Sequence, residues 1–285
     1  LAGVGPTGEP LEVRLAGELE PGAFRAIVFG PGDWRARTED RAVPSLRVGD
    51  RLNLGPLRAV VEGLELGRLL RLRFEARGES LWRAIYAHGR PIQYSYLREA
   101  LAPWDAQTAY GARPWAVESP SAGRPLTLGL LSRLAARGVQ VRALTHAAGL
   151  SSTGDAAVDA LLPFDERFEI PARTADAVEA ARREGRRVVA VGTTVVRALE
   201  GCAAANGGEV RAGSGVTSLR LGAESPRRVV DALFTGMHEP GTSHFALLEA
   251  FADRALLETA WRTAEGAGYL AHEFGDSALV LASRP

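Results

Sequence analysis

Residues 186–200 read Arg-Arg-Val-Val-Ala-Val-Gly-Thr-Thr-Val-Val-Arg-Ala-Leu-Glu, an apolar run followed by a polar turn and a helical pattern. Its first part, residues 188–191, is short, β-branched and apolar on both faces, which is typical of a strand buried inside an α/β sheet. Gly192 ends the strand, and Thr193 or Thr194 can cap the helix that follows. The stretch therefore predicts a strand–turn–helix unit of an α/β domain.

The turn of this unit is a candidate ligand site. Gly192, Thr193 and Thr194 place backbone N–H groups and two hydroxyls at the carboxyl end of a strand, where open α/β sheets usually bind their ligands. The same local pattern also occurs in α/β proteins that bind nothing at this position. From the residues alone, a binding role and a purely structural role both stay open.

The composition is that of a globular protein. The chain has 285 residues, of which 46% are hydrophobic and 24% charged, and this length suits one large or two moderate domains. No apolar run approaches the roughly 18 residues of a membrane span, and no signal peptide is recognisable. The single Cys202 excludes an internal disulfide and a Cys-based metal cluster. We expect a cytoplasmic protein that does not enter a membrane.

The charges balance. The chain carries 34 basic and 34 acidic residues, so its formal net charge is zero and it has no global attraction for nucleic acid. A local basic face stays possible, and a nucleic-acid partner would have to use one.

The first part of the chain has the pattern of a small antiparallel β-barrel. Over residues 11–78, apolar and polar side chains alternate in short runs separated by Gly, Pro and Asp. A short helix over residues 80–88, capped by Ser80, is expected to follow. We therefore place a β-barrel-like domain at residues 1–80.

The rest of the chain, residues 81–285, has the pattern of an α/β domain with a mixed sheet. Helical segments alternate with strands, which include a strand over residues 139–144 and two strand-like pieces within residues 269–281. The expected fold class is therefore α/β, with the β-barrel as a second, smaller domain.

Two common hydrolase classes do not fit the motifs. A zinc protease needs His-Glu-x-x-His, whereas His238-Glu239 is followed by His244 only six residues after His238. No Gly-x-Ser-x-Gly elbow of a serine hydrolase occurs. His238, His244 and His272 each lie near a polar or acidic residue, and for each of them a structural role stays open beside a chemical one. No metal site is expected.

Five short motifs, taken in order, resemble those of the S-adenosylmethionine:tRNA ribosyltransferase-isomerases of queuosine biosynthesis. They are Gln107-Thr-x-Tyr110, Ser119-Pro-Ser-Ala-Gly123, Ala190-Val-Gly-Thr-Thr-x-x-Arg-x-Leu-Glu200, Asp231-Ala-Leu-x-Thr-x-x-His-x-Pro240 and Phe274-Gly-Asp276. The resemblance spans residues 89–281. It implies an α/β catalytic domain that carries an inserted β-barrel, in agreement with the pattern of the first 80 residues.

The sequence also departs from the family. Where the family reads Pro-Thr-Ala-Gly-Leu-His-Phe, this chain reads Pro120-Ser-Ala-Gly-Arg-Pro-Leu126, so Pro125 replaces a His. His146 lies one position early relative to Gly149, which on a strand turns the imidazole to the other face. In the family, part of the catalytic domain precedes the barrel, and we expect that part to be missing from this sequence.

The resemblance implies a specific reaction. The ribosyl group of S-adenosylmethionine, the co-substrate, is transferred to a 7-deazaguanine base at the wobble position of tRNA; adenine and methionine are released and epoxyqueuosine is formed. A base near the sulfonium-activated methylene and donors for the leaving adenine are then required.

The resemblance also implies roles for individual residues. Proton transfer and the orientation of polar groups are assigned to His238, Asp276 and Glu200. The binding of S-adenosylmethionine is assigned to Gly192, Thr193, Thr194, Arg197, Ser121 and Gly123. The binding of the acceptor substrate is assigned to Gln107, Tyr110 and Asp231.

Three functions stay open. The first is the transferase-isomerase itself, with tRNA as its partner and a monomer as the favoured state. The second is an S-adenosylmethionine-dependent enzyme acting on a small molecule, which the neutral charge and the altered His positions would suit. The third is a non-catalytic homologue that acts as a binding protein.

Overall fold

The computed structural model describes residues 1–108, 110–111, 113–150, 152–271 and 273–282. The strands, in chain order, are β1 (Ala2–Val4), β2 (Pro10–Glu20), β3 (Ala23–Phe29), β4 (Arg51–Leu54), β5 (Leu57–Leu66), β6 (Leu69–Phe74), β7 (Thr145–His146), β8 (Glu166–Ile170), β9 (Val189–Val191), β10 (Gly213–Thr217), β11 (Ala232–Gly236) and β12 (Ser277–Leu281). The α-helices are α1 (Gly78–His88), α2 (Pro103–Ala106), α3 (Leu128–Ala136), α4 (Ala156–Asp159), α5 (Ala172–Arg183), α6 (Thr193–Ala205), α7 (Ser243–Leu248) and α8 (Arg254–Gly266).

Strands β1 to β6 form a closed antiparallel barrel in the order β1-β2-β3-β6-β5-β4. Because side chains alternate across a strand, every second apolar residue points inward, as Leu52 and Leu54 of β4 do. The inner side chains form one core cluster that includes Val13, Phe24, Leu52, Val61, Leu72 and Phe74. The predicted barrel is confirmed, and the structure adds β1, which the sequence pattern did not reveal.

Helix α1 packs on the barrel. Leu81 is fully buried in the barrel core, and the Trp82 ring meets Phe24 edge-on at a centroid distance of 5.7 Å. The predicted Ser80 cap is wrong, since the helix begins two residues earlier at Gly78, after Arg77. The Ser80 hydroxyl instead donates to the Arg77 carbonyl over 2.8 Å, which a hydroxyl inside the first turn can reach.

The remaining strands form two three-stranded sheets. The first has the antiparallel order β10-β8-β7. The second has the order β12-β11-β9 and is mixed, because β11 is antiparallel to β12 and parallel to β9. Helix α6 packs its buried face, which includes Val196 and Leu199, into the core that these sheets share. The predicted α/β fold with a mixed sheet is confirmed.

Two predicted strands are wrong. Residues 139–144 are irregular, because Val139 donates its N–H to Leu134 at the end of α3 and the next pairing begins only at Thr145. Of the pieces predicted within residues 269–281, only β12 is a strand, since the described residues before it form a turn.

The chain divides into two compact units. The first contains residues 1–107, 114–118 and 149–162, and the second contains residues 108–113, 119–148 and 163–285. The domain boundary predicted at residue 80 stays a prediction. Among the described helices, none combines the length and apolar composition that crossing a lipid bilayer requires.

Candidate functional site

The second unit has a sheet edge suited to ligand binding. Strands β9 and β11 run parallel, so their carboxyl ends meet at the same edge, where Gly192 follows β9 and Gly236 ends β11. The Gly192 N–H donates to the Phe234 carbonyl over 2.8 Å and holds the two strand ends together. In α/β sheets such an edge is the usual ligand position.

Gly192 makes the turn from β9 into α6. Its φ of 97° lies in the left-handed region that favours glycine, and Gly192 itself is the N-cap of α6. Thr193 and Thr194 already lie in the helix, so the prediction that one of them caps it is wrong. Strand β9 is also less buried than predicted, because the Val189 side chain is 49% exposed.

A short turn at Ser121–Gly123 adjoins this junction. A Cβ built on Gly192 would lie 3.6 Å from the Ala122 Cβ, which is ordinary van der Waals contact. The Tyr110 hydroxyl donates to the Gly123 carbonyl, and a Cβ on Gly123 would come within 2.8 Å of that hydroxyl oxygen. Gly123 therefore allows Tyr110 to close over the turn.

The Phe274-Gly-Asp276 motif closes a loop beside the same edge. Asp276 accepts the Leu270 N–H at its Oδ2 over 2.9 Å and donates its own N–H to the Leu270 carbonyl over 2.7 Å. A Cβ on Gly275 would lie 2.2 Å from the Leu270 carbonyl oxygen, so only glycine fits. The motif thus holds the loop in one conformation.

The turn that contains Ser121, the end of β11 and the Phe274-Gly-Asp276 loop line a small open cleft. Of the predicted site residues, Ser121 and Asp276 line it. Phe274 and Gly275, which belong to the same motif as Asp276, also line it. The sequence analysis assigned no role to the other lining residues, which include Arg124, Gly236 and Glu273. Arg124 immediately follows Gly123, and Glu273 immediately precedes Phe274. This position next to a motif was the one sequence feature that could have identified them.

Arg197 lies away from the cleft lining and is held inside the fold. Only 4% of its surface is exposed, and its Nη1 lies 2.5 Å from a carboxylate oxygen of Glu166. Its Nε and Nη2 donate to the carbonyls of Leu219 and Phe164 over 2.9 and 3.1 Å. Burial lowers the pKa of the Arg197 guanidinium, and the charge of Glu166 opposes this shift. These contacts tie α6 to neighbouring segments.

Glu200 and Asp231 are also engaged by the backbone. The Glu200 carboxylate is fully buried and accepts the N–H groups of Arg228, Val229 and Val230 over 2.8 to 2.9 Å. Asp231 Oδ2 accepts the Val188 N–H over 2.8 Å, which fixes the register of β9 against β11. In both cases the carboxylate satisfies backbone donors that would otherwise lack partners.

His238 follows the end of β11 by two residues. One ring nitrogen, Nε2, lies 2.8 Å from the buried Thr235 hydroxyl, and the ring stacks on His244 at a centroid distance of 4.8 Å. Burial lowers the pKa of His238 to about 3, with a contribution from His244, and burial lowers that of His244 to about 4. His238 is therefore a neutral imidazole near pH 7, with one nitrogen able to accept a proton.

The remaining predicted residues lie elsewhere. Gln107 belongs to the first unit, where its N–H donates to the Pro103 carbonyl at the end of α2. His272 lies outside the described residues. Within the described part of the chain, no group of three or more His, Cys, Asp or Glu side chains is arranged to hold a metal ion.

Comparison with known proteins gives a consistent result. The family model described as "Queuosine biosynthesis protein" matches residues 3–280. The S-adenosylmethionine:tRNA ribosyltransferase-isomerase of Thermus thermophilus is 36% identical over 280 residues, which are 97% of this chain and 79% of the relative. The chain belongs to this family of queuosine biosynthesis proteins.

Two further relatives are similar. The enzyme of the same name from Sorangium cellulosum is 37% identical over 292 residues, covering 96% of this chain and 78% of the relative. A solved structure, the S-adenosylmethionine tRNA ribosyltransferase of Thermotoga maritima, is 24% identical, covers 98% of this chain and 78% of that chain, and has a TM-score of 0.47.

Family membership confirms the resemblance that the five motifs indicated. In this member, three of the motifs meet around one sheet edge: the Ser119–Gly123 motif, the Gly192 turn and the Phe274-Gly-Asp276 loop. The individual roles predicted for the site residues stay predictions.

Proposed function

We propose that this protein transfers the ribosyl group of S-adenosylmethionine to a 7-deazaguanine base of tRNA and isomerises it, releasing adenine and methionine and giving epoxyqueuosine. The observation that carries the proposal is the 36% identity, across 97% of the chain, to a relative named S-adenosylmethionine:tRNA ribosyltransferase-isomerase. When bound, S-adenosylmethionine supplies a sulfonium that acidifies the neighbouring ribose methylene.

The proposed co-substrate site is the edge formed by Gly192, Ser121 and the loop that ends at Asp276. The start of α6 points the positive end of the helix dipole to this edge, which favours electron-rich polar groups of a ligand. Thr193 and Thr194 lie in that first turn. The donors and acceptors present therefore suit a charged, polar co-substrate.

We assign proton transfer to His238. A neutral imidazole held by the Thr235 hydroxyl is oriented and has an accepting nitrogen. Its low pKa makes it a weak base, so the role depends on the acidity that the sulfonium gives to the substrate.

Arg197, Glu200 and Asp231 act as positioning residues in this account. Their charged groups are bound to Glu166 or to backbone N–H groups and carbonyls inside the second unit. They fix α6 and β9, the elements on either side of Gly192, and through them the shape of the cleft.

The acceptor is proposed to be tRNA, and the place of action the cytoplasm, where tRNA is found. Because the net charge is zero, binding has to rely on a local basic face, and affinity should fall steeply as salt concentration rises. Tyr110 and Gln107 keep their predicted roles toward this acceptor, and a monomer stays the favoured state.

Release of adenine from S-adenosylmethionine tests the function. We expect release only when tRNA bearing the 7-aminomethyl-7-deazaguanine precursor is present. Release without tRNA would favour a small-molecule acceptor. No release under either condition would favour a binding protein that lacks the chemistry.

A further inference from the structure

The cleft in the second unit carries groups of opposite charge. Arg124 lines it together with Glu273, and Asp276 lies at the end of the same loop. A site that presents one cationic and one anionic group complements a zwitterion better than it complements a simple anion or cation.

The Arg124 guanidinium stacks on an aromatic ring of the cleft. Its central carbon lies 4.7 Å from the centroid of the Phe274 ring. Stacking uses the flat face of a guanidinium, whereas its N–H donors lie in the plane and can bind a carboxylate in bidentate fashion. Phe274 therefore positions the flat face of the Arg124 guanidinium at the cleft.

The Glu273 carboxylate is held across the cleft by Ser121. The Ser121 hydroxyl donates to its Oε2, and the loop that carries Glu273 is closed by the two hydrogen bonds between Asp276 and Leu270. A carboxylate fixed in this way can accept hydrogen bonds from an ammonium group without a further loss of side-chain freedom.

The size of the cleft limits what fits. It encloses about 40 Å³, far less than the about 300–1,000 Å³ of pockets that bury whole drug-sized ligands. The cleft is therefore suited to one end of a nucleoside-containing ligand.

We infer that Arg124 and Glu273 bind the amino-acid end of S-adenosylmethionine, with Arg124 on the α-carboxylate and Glu273 on the α-ammonium. The inference rests on the proposed function and names residues for it.

Binding of three nucleosides, measured by calorimetry, tests the inference. S-adenosylmethionine carries the carboxylate, the ammonium and the sulfonium, its decarboxylated form lacks only the carboxylate, and 5′-methylthioadenosine lacks all three. We expect Arg124→Leu to weaken the binding of S-adenosylmethionine about tenfold or more. The affinities for the other two nucleosides should stay within about twofold of wild type. Glu273→Gln should weaken the binding of S-adenosylmethionine and of its decarboxylated form, and should leave the affinity for 5′-methylthioadenosine unchanged. Arg137→Leu, an exposed arginine after α3, is the matched control.

The possible results distinguish a failure of this inference from a failure of the proposed function. The inference is wrong, and the proposed function stands, if wild type binds S-adenosylmethionine and Arg124→Leu binds it with the same affinity. The same holds if Arg124→Leu weakens the binding of 5′-methylthioadenosine as much as that of S-adenosylmethionine. If wild type does not bind S-adenosylmethionine, both are wrong. Retained 5′-methylthioadenosine binding shows that each variant is folded.

Discussion

At the scale of residues, burial and partners separate side chains that shape the site from side chains that line it. Glu200 and Arg197 belong to the most specific motif, yet they are buried and bound to groups of the fold. Arg124 and Glu273 were assigned no role from the sequence, yet they line the cleft. Membership of a motif therefore does not establish contact with substrate.

Glu200→Gln tests the structural role. A glutamine keeps the shape but replaces one accepting oxygen with an NH₂ group that faces a backbone N–H, so the free energy of unfolding should fall by about 2 kcal/mol. Urea denaturation measures this change. Glu209→Gln, on an exposed side chain, is the control and should change stability little. An unchanged midpoint for Glu200→Gln would show that the three backbone contacts contribute nothing.

The partly buried histidines, His238 and His244, predict a pH dependence of stability. Their folded pKa values of about 3 and 4 lie below the ordinary 6.5, so between these values the unfolded chain binds protons that the folded chain does not. Stability should therefore fall as pH drops from about 6.5, by about 1.4 kcal/mol per pH unit for each histidine.

His244→Phe isolates one of these contributions, because it keeps a ring to stack on His238 and removes a titrating group. Relative to its own value at pH 8, the variant should lose less stability than wild type at pH 5.5. Parallel pH profiles from the two proteins, measured by denaturant unfolding, would contradict the assignment.

His238→Ala tests the proton-transfer role. General acid–base catalysis contributes about 10²–10⁴-fold, so turnover should fall by a factor in that range, with little change in the affinity for S-adenosylmethionine. Single-turnover adenine release measures this factor. Near-normal turnover in the variant would mean that another group moves the proton.

Contacts of the site residues with partners that are distant in sequence could not be predicted from the sequence. The motif containing Glu200 was recognisable, but its bond to Val230 joins residues 30 positions apart, and no local pattern reports such a contact. The burial of Arg197 depends in the same way on Glu166, which lies 31 positions earlier in the chain.

At the scale of elements, most strands and turns were predicted from the alternation of apolar and polar residues and from the positions of glycine. The barrel strands follow the alternation of apolar residues because one face of each strand is buried in the barrel core. Residues 139–144 show a similar alternation without becoming a strand, since Val139 and Val141 are exposed and have no core to face. An apolar pattern predicts a strand only where a partner strand is available.

Gly192→Ala tests the turn between β9 and α6. The added Cβ would make ordinary contact with Ala122, so the cost comes from the left-handed backbone and should amount to about 1–2 kcal/mol of unfolding free energy. Gly266→Ala, in the last turn of α8, is the control and should be neutral or stabilising. Equal effects of the two substitutions on the thermal midpoint would contradict the role given to Gly192.

At the scale of the whole molecule, family membership and fold agree. The chain has the barrel and the mixed α/β sheet that the resemblance implied, and the family model covers nearly all of it. What the sequence did not reveal at this scale is how residues are shared between the two units, because residues 149–162 lie more than 60 positions after the barrel strands and belong to the same unit.

The transfer of ribose carbons to tRNA tests the central claim most directly. S-adenosylmethionine labelled with ¹³C in its ribose is incubated with the protein and with tRNA bearing 7-aminomethyl-7-deazaguanine, and the nucleosides are then analysed by mass spectrometry. The account predicts that the label enters the modified base, with one adenine released for each transfer. Adenine release without label in the tRNA, or label only in a small molecule, would contradict it.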